Sequence, residues 1–306
     1  IFTFKPMSKW KILSVFILGI ISANAQVDIS HFDGMKMYSI GPAGMSGRVT
    51  SIDAVIDNPS EIFIGTASGG VWKSSNAGLS WKPIFEDQPL QNIGSVKIQQ
   101  SNPDVIWVGT GEGNPRNSHS SGGGIFRSLD GGKTWKLMGL EKTKTIHRII
   151  IDRDNPDIVY AGCEGSPWGA NEERGVYKTT DGGKTWKKIL YVNDLTGCAD
   201  LVVDPSNPNK LMAAMWEHKR EPWFFNSGGE GSGLYVTHDG GETWKKRTSD
   251  DGLPKGKLGR MGLAIAASNP DVCYALVESK KIAMYKSTNG GKNWRKVSDK
   301  NVGNRP

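Results

Sequence analysis

The sequence predicts an all-β fold, a β-propeller of four-stranded blades, and two recurring patterns support this prediction. The first is an eight-residue box, S/T-x-D/N-x-G-x-x-W, which occurs five times and closes on a Trp at intervals of 54, 51, 58 and 50 residues. The second is an Asn-Pro pair that recurs with each box and is followed by a short β-prone run. A repeat of about 50 residues that holds four short antiparallel strands is typical of a propeller blade.

The residue chemistry of the box predicts a tight turn. An Asp or Asn side chain accepts hydrogen bonds from backbone N–H groups just ahead of it, and Gly tolerates positive φ. The closing Trp starts the next strand, and burial of its ring anchors the repeat. We therefore assign a structural role to the box residues, which are Asn76, Trp81, Asp130, Trp135, Asp181, Trp186, Asp239, Trp244, Asn289 and Trp294.

The order of the patterns places five blades along the chain. We expect them at about residues 47–84, 93–138, 146–190, 199–247 and 259–298, after an N-terminal segment at 26–46. Residues 35–41 read as an outer strand that lacks the rest of its blade. We therefore expect this chain to be a fragment of a longer one, with five blades of an incomplete ring.

The first 25 residues read as an export signal. Lys9 and Lys11 precede an apolar run at 12–21, and Ala23-Asn24-Ala25 offers small residues for cleavage. The run is shorter than the roughly 20 residues that cross a bilayer, so we expect no transmembrane span in the mature fragment. The expected location is extracellular, periplasmic or at the cell surface.

The net charge and the cysteine content limit which ligands and cross-links we expect. Without the signal the formal charge falls from +7 to +4, since the signal holds three of the 38 Lys and Arg and none of the 31 acids. With no basic helix and no aromatic ladder on a basic face, we expect no nucleic-acid partner. Three cysteines do not form a disulfide scaffold, and the sequence leaves open whether Cys163 and Cys198 are bonded. We expect no metal site and no cofactor.

Blade topology predicts which face carries function. The box turns and the Asn-Pro turns share one face, so the connections between second and third strands lie on the other. Three of these connections are long, at 111–124, 163–175 and 216–233. Long connections held by a rigid scaffold are where binding and chemistry usually occur.

Aromatic rings, carboxylates and arginines concentrate on those connections and at the same-face ends of the inner strands. Such groups can hold a sugar ring or an extended peptide and pair with carboxylates. The candidate binding residues are Arg48, Glu112, Arg116, His119, Arg148, Trp168, Glu172, Arg174, Trp216, Glu217, Arg220, Trp223 and Arg260.

The five boxes resemble Asp-box (BNR) repeats, which are found in sialidases, xyloglucanase-type endoglucanases and sortilin-type receptor domains. With the runs GPAGMSGRVTSIDAV, NEERGVYKTTDGGKTW and SGGEGSGLYVTHDGG, the chain is most similar to large secreted bacterial proteins labelled sortilin-like or glycosyl hydrolase-like. The resemblance covers about residues 35 to 300. The resemblance implies a propeller fold, but the activity has to be inferred from the residues of the functional site.

The resemblance leaves binding and hydrolysis both open. Glycoside hydrolysis needs two carboxylates, and Glu112, Glu164, Glu172 and Glu217 are candidates. The chain departs from the endoglucanase pattern at Thr66-Ala67, where an Asp is expected, and no Arg-Ile-Pro run of the sialidase kind precedes the first blade. The sequence therefore favours a sortilin-like binding protein for a peptide or glycan, with glycoside hydrolase as the alternative.

Overall fold

The computed structural model describes residues 48–303 together with Gly34. The predicted export signal lies outside the described residues, as does the predicted N-terminal segment except for Gly34. The chain divides into two compact units, residues 1–38 and 39–306, and every strand named below belongs to the second.

The regular secondary structure of the described chain is almost entirely β-strand, arranged as five antiparallel sheets built from consecutive strands. The first two blades contain β1 (Val49–Val55), β2 (Asn58–Thr66), β3 (Val71–Ser74), β4 (Lys82–Pro83), β5 (Ile93–Ile98), β6 (Ile106–Thr110), β7 (Ile125–Ser128) and β8 (Lys136–Leu137). The third contains β9 (Ile146–Ile151), β10 (Val159–Cys163), β11 (Gly175–Thr179) and β12 (Lys187–Leu190). The all-β prediction is confirmed.

The fourth blade departs from the plain four-stranded pattern. It contains β13 (Thr196–Asp204), β14 (Asn207–Glu221), β16 (Gly233–Thr237) and β17 (Lys245–Arg247), and β15 (Phe224–Ser227) pairs with the far end of β14. The fifth blade contains β18 (Met261–Ile265), β19 (Cys273–Val277), β20 (Ala283–Ser287) and β21 (Arg295–Ser298). Two short 3-10 helices, Glu141–Thr143 and Ser249–Asp251, lie in connections.

The innermost strands of the blades line one central channel. Strands β1, β5, β9, β13 and β18 follow one another, and each contacts the next. All five contribute residues to a cavity of about 670 Å³. Four hydrophobic clusters fill the spaces between blades one and two, two and three, three and four, and four and five.

The box turns have the hydrogen bonding that their sequence predicts. Ser128 Oγ accepts from Gly132 N at 2.9 Å and donates to Asp130 Oδ1 at 2.8 Å. Asp130 accepts from the Thr134 backbone and hydroxyl, and those bonds lower its pKa to about 2. Asn76 Oδ1 accepts from Ser80 N in the same way at 2.9 Å, so the turn does not need a charge.

Each box turn is tied to the Asn-Pro turn of its own blade. Gly131 N donates to Asp104 O at 2.9 Å, and Gly182 N donates to Asp157 O at 3.0 Å. Equivalent bonds occur in the other three blades. The two sets of turns therefore share one face of the propeller.

Four of the five box tryptophans pack at the interfaces between blades. Trp135 Nε1 donates to Ile84 O at 2.7 Å, and Trp186 Nε1 donates to Met138 O at 2.8 Å, each reaching the preceding blade. Trp294 is buried in the cluster between blades four and five, and Trp244 packs against the one between three and four. Trp81, in the first blade, is half-buried.

The three cysteines are buried free thiols. The bond between Cys163 and Cys198 that the sequence left open is not formed, and burial raises the pKa of Cys163 to about 12. Among residues 48–303, none forms a helix of the length and hydropathy needed to cross a membrane.

Candidate functional site

Three long second-to-third-strand connections form one face, opposite the box turns; we call it the elaborated face. They span the chain between β6 and β7, between β10 and β11, and between β14 and β16. The third was expected to be a loop but is a hairpin, because β14 continues beyond its blade and pairs with β15 from His218↔Ser227 to Glu221↔Phe224. Pro222 and Trp223 form its tip.

Hydrogen bonds fasten the three connections to one another. Arg220 N donates to Pro167 O at 2.6 Å, and Arg220 Nε donates to Asn117 Oδ1 at 2.8 Å. Asn117 Nδ2 donates in turn to Pro222 O at 3.4 Å. Arg220 also lies 5.1 Å from the centre of the Phe225 ring. Residues from blades two, three and four therefore form a single surface.

Large aromatic side chains reach solvent on this surface. Trp223 is 82% exposed and Phe224 59% exposed at the hairpin tip, while Trp168, in the connection of blade three, is 37% exposed. Four of the five box tryptophans pack between blades, whereas these three rings reach solvent. Exposed apolar rings on neighbouring loops are typical of an interaction site.

Trp216 lies beneath the elaborated face rather than on it. The ring is only 2% exposed, and its Nε1 donates to Ser227 Oγ at 3.0 Å. His218 stacks on it with centroids 4.1 Å apart and planes 19° apart. The guanidinium of Arg260 lies 5.2 Å from the ring centre. Because two groups already cover the ring, Trp216 supports the site and does not offer a stacking platform.

Arg260 connects the fifth blade to residues of blades two and three. It precedes β18, and its guanidinium donates to Asn114 Oδ1 at 2.9 Å and to Gly113 O at 3.2 Å. It also lies 3.3 Å from His147 Nε2. Burial, with Arg148 and Arg260 nearby, holds the pKa of His147 well below its usual value, so the neutral ring can accept this bond.

Two further arginines at the inner-strand ends pair with carboxylates of the next blade. Arg48 Nε donates to Glu112 Oε1 at 2.9 Å, and Arg148 Nε donates to Asp200 Oδ1 at 2.7 Å. Glu112 is buried, whereas both arginine side chains are partly exposed, and Arg148 borders the channel. These pairs join adjacent blades.

A second group of ionisable side chains is buried behind the surface. Arg174 donates to the carbonyls of Leu195, Ser166 and Gly169, and burial lowers its pKa to about 10. It lies 3.4 Å from Nδ1 of His218, whose Nε2 lies 3.5 Å from Glu164 Oε1.

Within this buried set of ionisable side chains, Glu164 has a raised pKa. Burial raises its pKa to about 7, partly offset by Arg260, Arg174 and Arg148. Its Oε2 has no hydrogen-bond partner within the described part of the chain. A carboxyl placed in this way is neutral in much of the population near neutral pH.

Three cavities follow one another from the elaborated face into the channel. The outer pocket, about 130 Å³, is lined by Asn114, Pro115, Trp216, Phe225, Ser227, Arg260 and Glu278. The middle cavity, about 210 Å³, is lined by Asn114, Arg148, Ala199, Asp200, Arg260, Met261 and Gly262. The third is the channel itself. Arg260 borders the first two cavities and Arg148 the last two.

The predicted binding residues fall into two groups. The first group is buried or borders the cavities and consists of Glu112, Arg148, Arg174, Trp216 and Arg260. Arg48 is exposed but pairs with the buried Glu112. Glu217 accepts from Gly231 N at 2.8 Å. The second group is exposed and consists of Arg116, Glu172, Trp168 and Trp223. Arg220 joins the long connections to one another. His119 is half-buried, and burial lowers its pKa.

Several residues of the network were not among the predicted binding residues. They are Asn114, His147, Asp200, His218, Ser227 and Glu278. Asn114 and His218 lie within predicted connections, next to residues that were selected. No sequence signal marks Asp200 or Glu278, because both matter through contacts with other parts of the chain. Over residue 34 and residues 48–303, no group of three or more His, Cys, Asp or Glu side chains is placed to hold a metal ion.

Comparison with known families finds that the chain is similar to sortilin-type and xyloglucanase proteins. The family model Sortilin-Vps10, described as sortilin, neurotensin receptor 3, matches residues 123–251. A xyloglucanase from Paenibacillus sp is 26% identical over 252 residues, covering 70% of this chain and 22% of that protein. Xyloglucanase Xgh74A from Acetivibrio thermocellus is 27% identical over 281 residues, covering 75% of this chain and 30% of that protein. This chain therefore spans less than a third of the length of these relatives.

Solved structures have the same fold. An ancestral GH74 enzyme matches with a TM-score of 0.62 at 20% identity, covering 85% of this chain and 32% of that one. The GH74 enzyme of Niastella koreensis matches at 0.60 and 19% identity, covering 81% and 38%. YCF48 bound to D1 peptide matches at 0.52 and 16% identity, covering 86% and 71%. The resemblance to sortilin-like and glycosyl hydrolase-like Asp-box proteins is confirmed.

Proposed function

We propose that this protein is an exported propeller that binds a glycan on its elaborated face. The observation that carries the proposal is the exposure of Trp168, Trp223 and Phe224 on connections that Arg220 and Asn117 fasten together. Rigid aromatic rings at the centre of an interface contribute much of its affinity, and their apolar faces suit the faces of sugar rings. Export rests on the predicted signal at residues 1–25.

A glycan is favoured over a peptide by the polar wall of the outer pocket. Glu278 Oε2 accepts from Ser227 Oγ at 2.6 Å and from Arg260 N at 2.8 Å, so a carboxylate is fixed beside the aromatic wall. A fixed acceptor of this kind suits ligand hydroxyl groups. The similarity to xyloglucanases supports the same ligand class.

Glycoside hydrolysis is the second candidate, favoured by the similarity to xyloglucanases and by the pKa of Glu164, about 7, which lies in the range of a general acid. The placement of the carboxylates supports binding instead. Glu164 and Glu112 are buried, and Glu112 is tied to Arg48. Neither borders the outer pocket or the middle cavity.

Binding is tested by titrating the full-length protein with a panel of neutral and acidic oligosaccharides that includes xyloglucan fragments. With the best ligand, Trp223→Ala should weaken binding by at least about 2 kcal/mol, roughly 30-fold, with an unchanged melting temperature. Leu79→Ala is the matched control, because Leu79 is exposed in a box turn on the opposite face. Unchanged affinity in both Trp223→Ala and Trp168→Ala would refute the proposal.

Hydrolysis is tested on the same panel by measuring new reducing ends. We expect none from the wild-type protein. Release of sugar that is abolished by Glu164→Gln or Glu112→Gln would establish the hydrolase in place of the binding protein.

A further inference from the structure

The middle cavity brings together two guanidinium groups from different blades. Arg148 reaches it from β9 and Arg260 from the residue before β18, and the cavity holds about 210 Å³. Asn114 borders both this cavity and the outer pocket. A group lying in the middle cavity can therefore remain connected to a ligand in the outer pocket.

The two guanidinium groups at this cavity have different partners. Asp200 is the carboxylate of its wall, and it is already satisfied by Arg148 and by the backbone N–H groups of Leu201 and Leu263, both through bonds of 2.8 to 2.9 Å. Arg260 forms no ion pair among residues 48–303, since its partners are an amide, a carbonyl, an imidazole and an aromatic ring. Among the described residues, the guanidinium of Arg260 therefore borders the cavity without a carboxylate in direct contact with it.

Donor capacity remains as well. A guanidinium has five N–H donors. Within the described chain Arg148 uses two of them, on Asp200 and on His147 O, and Arg260 uses three, on Asn114, Gly113 and His147. The remaining donors can be matched by a carboxylate, whose two oxygens accept paired bonds from guanidinium groups.

We propose that the middle cavity is a subsite for a carboxylate held between Arg148 and Arg260, so that the ligand is an acidic glycan carrying a uronate residue. The proposal rests on glycan binding at the elaborated face and specifies which glycans bind there. The uronate carboxylate lies in the middle cavity, while its ring and the next sugar occupy the outer pocket near Glu278 and Phe225. A neutral glycan would leave the guanidinium of Arg260 without a carboxylate partner.

The test compares an oligogalacturonate with its fully methyl-esterified form, since the two share rings and linkages and differ in charge. Titration of the full-length protein at low salt should give at least about tenfold tighter binding of the acid, a preference that declines as salt increases. Arg148→Gln and, separately, Arg260→Gln should reduce the preference to less than threefold. Arg153→Gln removes the same charge near the opposite face and should retain it.

Each other outcome overturns the proposal in a recognisable way. Equal affinity for acid and ester refutes the carboxylate subsite but leaves glycan binding intact. If Arg153→Gln and Arg148→Gln reduce the preference for the acid equally, the preference is a general effect of protein charge and not of this cavity. If no glycan binds, both the glycan-binding proposal and the carboxylate subsite are refuted. A preference seen only between a peptide with a free C-terminal carboxylate and its amide assigns the cavity to peptides instead. A thermal melt of each variant separates these results from loss of the fold.

Discussion

Replacement of Glu164 by Gln tests the electrostatics of the buried network directly. Gln has nearly the same shape as Glu but does not titrate. Glu164 is fully buried, and burial raises its pKa from the ordinary 4.5 to about 7 despite the opposing effect of Arg260, Arg174 and Arg148. The difference between wild-type and variant stability should therefore depend on pH.

The sign and size follow from the two pKa values. The folded state binds this proton more tightly than the unfolded state, so the favourable contribution is fully present below about pH 4.5 and is lost as pH rises through about 7. At about 1.4 kcal/mol for each tenfold change in proton affinity, wild type should lose roughly 3 kcal/mol relative to Glu164→Gln between pH 4 and pH 8.

The assay is urea unfolding of both full-length proteins at several pH values. The pKa values of His147 and His218 are lowered by burial, so those side chains weaken both proteins as pH falls below about 6.5. Subtraction of one protein from the other removes most of that effect. Glu172→Gln, at an exposed carboxyl on the same connection, should follow wild type throughout. A wild-type-minus-variant difference that is equal at pH 5 and pH 8 would contradict the burial of a protonated carboxyl.

Two further predictions concern the scaffold. Trp186→Ala should cost about 3–5 kcal/mol of unfolding free energy in a denaturant titration, because it removes the ring packed edge-to-face on Trp107 and the bond to Met138 O. As a control, Trp223→Ala should change the unfolding free energy by no more than about 0.5 kcal/mol. If Trp186→Ala costs less than about 1 kcal/mol, Trp186 does not anchor its blade. Thr179→Val should cost about 1–3 kcal/mol, because it leaves the buried Gly183 N–H without its acceptor; equal melting temperatures would argue against that bond.

The blades could be predicted from the sequence because their turns are local. In each box the bonds join residues two to four positions apart, as between Ser128 and Gly132, so the chemistry of one short run determines the turn. The recurrence of the box then predicted the propeller fold, because five such runs at nearly constant spacing indicate a repeated structural unit. The exposure of Trp223 on a long connection follows from the same topology.

The site itself depends on contacts that only the tertiary structure reveals. Arg260 meets Asn114 across 146 positions of chain, and Arg148 meets Asp200 across 52. Sequence placed Trp216 among the binding residues, but whether its ring faces solvent depends on His218 and Arg260 covering it from two elements. The sequence by itself determined the turns, the blades and the face that carries long connections, because local chemistry and periodicity specify them. The arrangement of blades around the channel decided which charges are paired, which rings are covered and which cavity is bordered by an arginine without an ion-pair partner, because those properties depend on residues distant in the chain.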